Sequence, residues 1–213
     1  MSIAKNLISL KSSIPANVTL VAVSKTKPNS DILSAYNSGQ KIFGENRVQE
    51  LVKKQKELPL DIVWHMIGNL QTNKVKYIAP FISLIHSVDS FRLLEEINKR
   101  AKQNNRNIDC LLQVHIAKES TKSGFNIDDI QKIIEKSNLF KNIKIKGIMA
   151  MATFTNNFKL INKEFMKVNQ LMQEIKTKEL SILSIGMSGD YKIAINNGSN
   201  MIRIGSAIFG KRS

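Results

Sequence analysis

A short, almost wholly apolar run near the start of the chain ends abruptly in a lysine. Residues 18–23 read V-T-L-V-A-V, and Ser24, Lys25 and T-K-P follow. A valine-rich run that is apolar at successive positions predicts a strand buried on both faces, as strands of parallel sheets are. Parallel α/β proteins bind ligands at the carboxyl ends of their strands. The run therefore predicts a parallel α/β fold with Lys25 at the ligand-binding edge.

Lys25 has two interpretations at such a position. A partly shielded lysine holds more of its side chain as free amine, which is the form that Schiff-base chemistry needs. A lysine that snorkels from a strand end to water is the simpler interpretation, and the run by itself favours it. The choice between them depends on residues elsewhere in the chain.

Strand-like and helix-like segments alternate along the whole sequence. The predicted strands are 18–25, 41–44, 61–67, 83–87, 108–116, 143–151 and 180–185, with last pieces at 201–204 and 207–209. An amphipathic helix over residues 1–13 precedes the first strand. About eight repeated βα units predict an α/β fold of the (β/α)8 TIM-barrel type with an extra N-terminal helix. An open doubly wound sheet is the alternative, but no G-x-G-x-x-G follows the first strand.

Composition narrows the class of protein. With 42% hydrophobic and 23% charged residues, the chain of 213 residues predicts one domain over residues 1–213. The net charge of +15 would permit nucleic-acid binding, but the lysines are scattered and aromatic residues make up only 6%. We therefore expect a solvated surface and no nucleic-acid partner. With no apolar run of membrane-spanning length and no signal-peptide pattern, we expect a cytoplasmic protein without membrane contact. The single cysteine, Cys110, predicts a buried, inert thiol.

Two glycine-containing loops follow the predicted seventh and eighth strands. Residues 186–190 read G-M-S-G-D and residues 205–207 read G-S-A. In barrels these two loops often hold a phosphate, because glycines let the backbone N–H groups approach an anion. Ser188 and Ser206 add hydroxyl donors. Ordinary βα turns are the alternative for either loop alone, and the pair together favours a phosphate-bearing ligand.

Arg203 lies in a strand-like run just before the second loop. Its side chain points either into the barrel or outward between helices, and spacing does not separate the two. An inward arginine needs a partner, because burying it alone is costly. Pyridoxal phosphate (PLP) needs a lysine for a Schiff base, a phosphate cradle and a group facing its pyridine nitrogen. Lys25, the two loops and Arg203 together predict such a ligand.

Seven segments carry a resemblance to a known family. They are V-A-V-S-K-T-K-P, F-G-E-N-R-V-Q-E, W-H-M-I-G-N-L-Q-T-N-K, T-K-S-G, I-M-A-M, L-S-I-G-M-S-G-D and R-I-G-S-A-I-F-G. In these segments the chain resembles the pyridoxal phosphate homeostasis (YggS/PROSC-like) family, from about residue 18 to residue 210. That family is similar to the N-terminal barrel of alanine racemase.

The resemblance implies the roles of the principal site residues. Lys25, the first lysine of S-K-T-K-P, would carry PLP covalently as a Schiff base. Arg203 would face the pyridine nitrogen. Ser188, Gly205 and Ser206 would hold the phosphate. The chain has Ser206 where threonine is commoner in the family, and the hydroxyl is kept.

Further residues gain roles from the same resemblance. Asn46 of G-E-N would lie beside the cofactor ring, and Lys27 would be a neighbour on the lysine loop. Lys122 of T-K-S-G would be a second lysine used in transfer, although a solvated loop lysine is the simpler interpretation. His65 lines the pocket or is a satisfied core imidazole, and the second is simpler. No residue is assigned a catalytic role, and no metal site is predicted.

An arginine opposite the pyridine nitrogen argues against most carbanion chemistry. A guanidinium cannot accept a proton, so it favours an unprotonated ring that is a weaker electron sink. Racemases of this barrel type manage with it, but they use a tyrosine from an additional β domain. The tyrosines here, Tyr36, Tyr77 and Tyr191, match no such motif, and we expect that domain to be missing. We therefore expect a carrier that passes PLP to apo-enzymes.

Other functions stay open on the sequence. A stand-alone PLP-dependent racemase or other weak PLP enzyme is the main alternative to the carrier. A barrel aldolase that uses a Schiff-base lysine on a sugar phosphate is the next, and it would purify colourless. A nucleic-acid role is the most distant. Because the usual racemase dimer contact comes from the additional domain, we expect a monomer.

Overall fold

Eight parallel strands close into a barrel in the computed structural model of the chain, which describes residues 2–117, 119 and 123–210. Each strand pairs with the next in sequence, and the last pairs with the first. The strands are β1 (Thr19–Val23), β2 (Ile42–Glu45), β3 (Val63–Met66), β4 (Leu84–Val88), β5 (Ile108–Val114), β6 (Ile143–Ala150), β7 (Ile182–Ser184) and β8 (Met201–Ile204). This closure confirms the predicted (β/α)8 barrel and rules out the open sheet.

Helices surround the barrel on its outer side. They are α1 (Ile3–Ser13), α2 (Asn29–Asn37), α3 (Val48–Glu57), α4 (Val75–Ile78), α5 (Phe91–Gln103), α6 (Ile130–Ser137), α7 (Phe158–Ile175), α8 (Tyr191–Asn196) and α9 (Ser206–Phe209). Single 3₁₀ turns at Thr72–Lys74 and Ile127–Asp129 lead into α4 and α6. No helix in the described ranges has both the length and the hydropathy to cross a bilayer.

The extra N-terminal helix packs beside α9 and α2. The Ser2 hydroxyl accepts a hydrogen bond from the Lys5 backbone N–H at 3.3 Å, which satisfies one donor of the first turn. The Asn6 side chain donates to the Ile208 carbonyl at 3.0 Å, and Lys11 donates to the Gly39 carbonyl at 2.8 Å. The predicted helix is therefore a part of the outer helical layer.

Apolar side chains form two layers, one on each face of the barrel wall. The inner layer fills the barrel with Val21, Leu84, Leu111, Met149 and Met201. A larger layer lies between the strands and the helices, and Phe43, Phe165 and Leu94 are fully buried in it. Cys110 belongs to that layer, and burial raises the pKa of its thiol, as expected of an inert cysteine.

The strand segment predicted at residues 207–209 is wrong. Residues 207–209 lie in the short helix α9, where the N–H groups of Ile208 and Phe209 both donate to the Gly205 carbonyl at 2.9 Å. A three-residue apolar run fits a strand and a buried helical turn equally well, so its pattern does not separate them. The barrel is already closed by β8 pairing with β1, and the chain turns away after Ile204.

Candidate functional site

The site residues predicted from sequence lie at the carboxyl ends of four strands that follow one another around the barrel. In order, these strands are β7, β8, β1 and β2. Around the arc, the residues are Ser188 after β7, Arg203 in β8, Gly205 and Ser206 after β8, Lys25 after β1 and Asn46 after β2. The fold thus brings all six to one side of the barrel mouth, which makes a common ligand geometrically reasonable.

Lys25 lies in a tight turn two residues beyond β1. Its side chain is half-buried, whereas Ser24 before it is fully buried. Thr26 has a φ of 63°, a left-handed conformation that costs a β-branched residue roughly 1–2 kcal/mol. Lys27 donates its backbone N–H to the Ser24 carbonyl and its ammonium to the Phe209 carbonyl, both at 3.0 Å. The turn is therefore held in a strained but well-bonded conformation.

A buried ion cluster lies beside this turn, between β2 and α3. Glu45, Glu50 and Lys54 form it, and we call it the Lys54 cluster. The Lys54 ammonium lies 2.7 Å from Glu45 Oε1 and 2.6 Å from Glu50 Oε1. Burial raises the pKa of Glu45, while the hydrogen bond from Lys54 opposes that rise. Glu45 Oε2 is buried and has no hydrogen-bond partner in the described part of the chain.

Arg203 points into the barrel, which decides between the two orientations that the sequence left open. Nη1 donates to the carbonyl and to the hydroxyl of Ser184, both at 2.7 Å, and Nη2 donates to the Ala150 carbonyl at 3.1 Å. Burial lowers the pKa of Arg203 to about 10, so the guanidinium stays charged at neutral pH. Its remaining two N–H groups have no acceptor within the described residues and are available to a ligand.

Two histidines extend the Arg203 network across the barrel. His86 Nδ1 lies 3.1 Å from the Ser184 hydroxyl, and His86 Nε2 lies 3.0 Å from His65 Nδ1. Burial lowers the pKa of His65 to about 3 and that of His86 well below its usual value, so both are neutral. His65 is thus a buried interior imidazole whose Nδ1 is hydrogen-bonded to His86, which favours the simpler interpretation. We call Arg203, Ser184, His86 and His65 the interior network.

The two glycine-containing loops meet at the end of β8. The Gly205 N–H donates to the Ser188 hydroxyl at 3.2 Å, which joins the loops directly. Gly186 has a φ of 97°, and a Cβ there would lie 2.6 Å from the Ala194 Cβ, so the first loop requires glycine. In the described residues, the N–H groups of Ser206 and Ala207 have no protein acceptor. These exposed donors suit an anion such as phosphate.

Sequence reasoning missed the Lys54 cluster and the histidine part of the interior network. Glu45 stands inside the F-G-E-N segment, and Glu50 and Lys54 are spaced for one helical turn, so a signal for the cluster was present. Pattern alone does not tell which face of a strand His86 occupies. Lys122, the predicted transfer lysine, lies outside the described residues.

Comparison with known proteins places the chain among relatives of similar length. The family profile described as "Alanine racemase, N-terminal domain" matches residues 1–213. A pyridoxal phosphate homeostasis protein of Aquifex aeolicus is 41% identical over 197 residues, which cover 91% of this chain and 86% of that protein. One of Helicobacter pylori is 40% identical over 195 residues, covering 90% and 87%.

Solved structures agree with this placement. PipY of Synechococcus elongatus PCC7942, determined without PLP, superposes with a TM-score of 0.92 at 35% identity, covering 98% of this chain and 100% of PipY. Its structure with PLP bound superposes with a TM-score of 0.89. Alanine racemase of Bartonella henselae shares the fold at a TM-score of 0.76 and 18% identity, covering 99% of this chain and 60% of the racemase. The chain belongs to the pyridoxal phosphate homeostasis protein family.

Proposed function

We propose that this protein is a PLP carrier that holds the cofactor covalently on Lys25 and passes it to apo-enzymes. The observation that supports it best is the arc of donors at the barrel mouth, with Lys25 at the end of β1 and Arg203 fixed in the neighbouring β8. The relatives are named for PLP homeostasis, and PipY binds PLP in its solved structure. PLP supplies an aldehyde when it is bound.

Each residue has one task in this proposal. Lys25 would hold PLP through its amine nitrogen, which would bond to the aldehyde carbon while the aldehyde oxygen leaves as water. Ser188 and Ser206 donate their hydroxyls to the phosphate, and the Gly205 N–H holds the Ser188 hydroxyl in place for that contact. Arg203 donates to the pyridine nitrogen through its uncommitted N–H groups. Water would reverse this attachment and free the Lys25 amine, which is the property that a carrier needs.

Asn46 lies one residue beyond β2, beside the lysine turn, and we assign it to the cofactor ring. A Cβ at Gly68 would lie 2.5 Å from the Asn46 carbonyl oxygen, so a glycine there lets the chain pass closely behind Asn46. This close packing fixes the backbone of Asn46. The backbone therefore presents its side chain from a rigid position.

The proposal assigns no catalytic residue. The Arg203 guanidinium, with a pKa of about 10, is too weak an acid to protonate the pyridine nitrogen. It is already protonated and therefore cannot accept a proton either. A bound ring would thus be a weak electron sink. Tyr36 donates its hydroxyl to Asp61 on the outer surface, and Tyr77 is half exposed on α4. Tyr191 packs into the layer between strands and helices. The proposal therefore assigns none of these three tyrosines as a base.

The absorbance spectrum tests the proposal. Cofactor-free protein mixed with PLP is expected to turn yellow, whereas Lys25→Ala stays at the spectrum of free PLP and Lys27→Ala behaves as wild type. A wild-type protein that gives no new band would contradict the proposal. It would leave the sugar-phosphate aldolase as the better explanation of a lysine at this position.

Transfer and racemase activity are separated by a second pair of assays. The PLP-loaded carrier is expected to reactivate a PLP-dependent apo-enzyme, with no racemisation of L-alanine above a free-PLP control. Racemisation well above that control, lost in Lys25→Ala, would favour the stand-alone racemase instead. Sedimentation of the loaded protein is expected to show a monomer.

A further inference from the structure

The side chains of the Lys54 cluster hydrogen-bond to both neighbours of Lys25. The Ser24 hydroxyl donates to Glu45 Oε1 at 2.6 Å, and Lys54 donates to the Ser24 carbonyl at 2.8 Å. In the described residues, the only other side-chain hydrogen bond that leaves the cluster is Glu50 Oε1 accepting from the Thr26 N–H at 2.7 Å. Each hydrogen bond that these three side chains make outside the cluster, within the described residues, therefore holds the residue before or the residue after Lys25.

The Thr26 contact matters most, because Thr26 has the strained φ of 63°. A threonine in this conformation relaxes toward negative φ unless its surroundings hold it. The Glu50 side chain accepts a hydrogen bond from the N–H of that residue at 2.7 Å, and this bond holds the Thr26 backbone in place. Rotation of the Thr26 backbone would move the Cα of Lys25 and redirect its side chain.

The cluster is rigid enough to act as a clamp. Lys54 uses all three ammonium protons, on Glu45, Glu50 and Ser24, and its side chain is only 6% exposed. Glu45 is fully buried at the end of β2, so one end of the clamp is anchored in the barrel. Glu50 and Lys54 lie one turn apart on α3, which anchors the other end.

We propose that Glu45, Glu50 and Lys54 are positioning residues that aim Lys25 at the aldehyde of PLP by holding Ser24 and Thr26. This inference rests on the proposed function of Lys25. Without the clamp, the Lys25 amine still exists but meets the aldehyde carbon less often in the geometry that forms the C=N bond and expels water.

The test compares rates of covalent attachment. Cofactor-free wild type, Glu50→Ala and Glu50→Gln are mixed with PLP, and the growth of the yellow band is followed. Glu50→Ala is expected to react about ten- to hundredfold more slowly, the upper figure being the loss that a misplacement of ~1 Å produces. Glu50→Gln is expected to react nearly as fast as wild type, because its amide oxygen still accepts from Thr26 and Lys54.

Glu96→Ala on α5 is the matched control, since it breaks another i, i+4 ion pair, with Arg100, far from the lysine turn. It is expected to attach PLP at the wild-type rate with a melting temperature close to that of Glu50→Ala. The Glu50 side chain is 23% exposed, so little buried volume is lost when it is removed. Lys54 keeps its pair with Glu45 in that variant, and we expect the fold to stay intact.

The outcomes separate this inference from the proposed function. Equal rates for wild type and Glu50→Ala, with borohydride trapping PLP on Lys25 in both, would overturn the positioning role alone. Slow attachment in Glu50→Gln as well as Glu50→Ala would also overturn it, because geometry would not then explain the loss. Absence of any adduct on Lys25 in wild type would overturn the proposed function, and the inference with it.

Discussion

Two buried polar networks lie on opposite faces of the barrel wall, and only one pairs its cation with carboxylates. Outside the wall, Lys54 contacts Glu45 and Glu50. Inside, among the described residues, Arg203 donates only to neutral oxygens of Ser184 and Ala150. The carboxylates of the outer network hold the backbone around Lys25. The inner cation makes no hydrogen bond to a carboxylate in the described residues, although Asp190 acts on it electrostatically, and we assign its two uncommitted N–H groups to the ligand.

The histidines explain how the inner network tolerates that charge. His65 and His86 are neutral at physiological pH, so they add hydrogen bonds next to Arg203 without adding positive charge. A carboxylate in their place would neutralise the guanidinium and weaken its attraction for an electron-rich nitrogen. The comparison teaches that one barrel wall separates an ion cluster paired with carboxylates from a cation bonded to neutral oxygens, which we assign to the ligand.

The largest effect is expected from Lys54→Met. This change leaves the fully buried Glu45 without its cation and beside the partly exposed Glu50, and removing one partner of a buried pair costs about 3–5 kcal/mol. Denaturant unfolding measures the loss. Arg100→Met, which breaks the partly exposed pair with Glu96, is expected to cost under about 1 kcal/mol. Equal losses in the two variants would remove the distinction between the clamp and an ordinary helix pair.

A pH titration of stability tests the inner network. The pKa of His65 is about 3 in the folded protein and near 6.5 when unfolded, so protonation favours the unfolded chain. The stabilisation is complete above pH 6.5 and is lost as the pH falls toward 3. The loss from this histidine between pH 6.5 and 5 is expected to be about 2 kcal/mol.

His65→Asn isolates that contribution. The variant is expected to be less stable at pH 7 but to lose less stability than wild type on acidification to pH 5, because one titrating imidazole is gone. Chemical denaturation at each pH gives both curves. Parallel curves for the two proteins would show that His65 does not remain neutral in the fold.

A smaller effect is expected from Ser184→Ala, which removes the hydroxyl between Arg203 and His86. Loss of one buried bridging group costs about 1–2 kcal/mol, and PLP affinity is expected to fall because Arg203 loses one of its anchors. Ser199→Ala is the matched control, since Ser199 is a buried hydroxyl bonded to the carbonyls of neighbouring strands. Unchanged PLP affinity in Ser184→Ala would show that the interior network does not contribute to PLP binding.

Most of the barrel was predictable from sequence, because the buried strands of a parallel sheet are long apolar runs between helical patterns. The strand predicted at residues 207–209 was wrong, because three apolar residues are too few to show the period of a strand or a helix. Lys25 was recognisable by its place after an apolar run. The inward direction of Arg203 was not, because whether a charged side chain faces inside or outside depends on partners from distant strands, here Ser184 and Ala150.

The Lys54 cluster shows a second limit of sequence reasoning. The pair Glu50 and Lys54 has the spacing of an ordinary surface ion pair, and most such pairs are solvated. Their burial follows from α3 packing over the end of β2, where Glu45 closes the strand. The left-handed conformation of Thr26, which gives the cluster its proposed role, is also unexpected, since β-branched residues rarely adopt it.

The site of covalent attachment is the most direct test of the whole account. Protein loaded with PLP is reduced with borohydride, which converts the C=N bond to a stable secondary amine, and the modified peptide is identified by mass spectrometry. The account predicts a single pyridoxyl group on Lys25, in wild type and in Lys27→Ala alike. A group on Lys27 or on scattered surface lysines, with Lys25 unmodified, would contradict it.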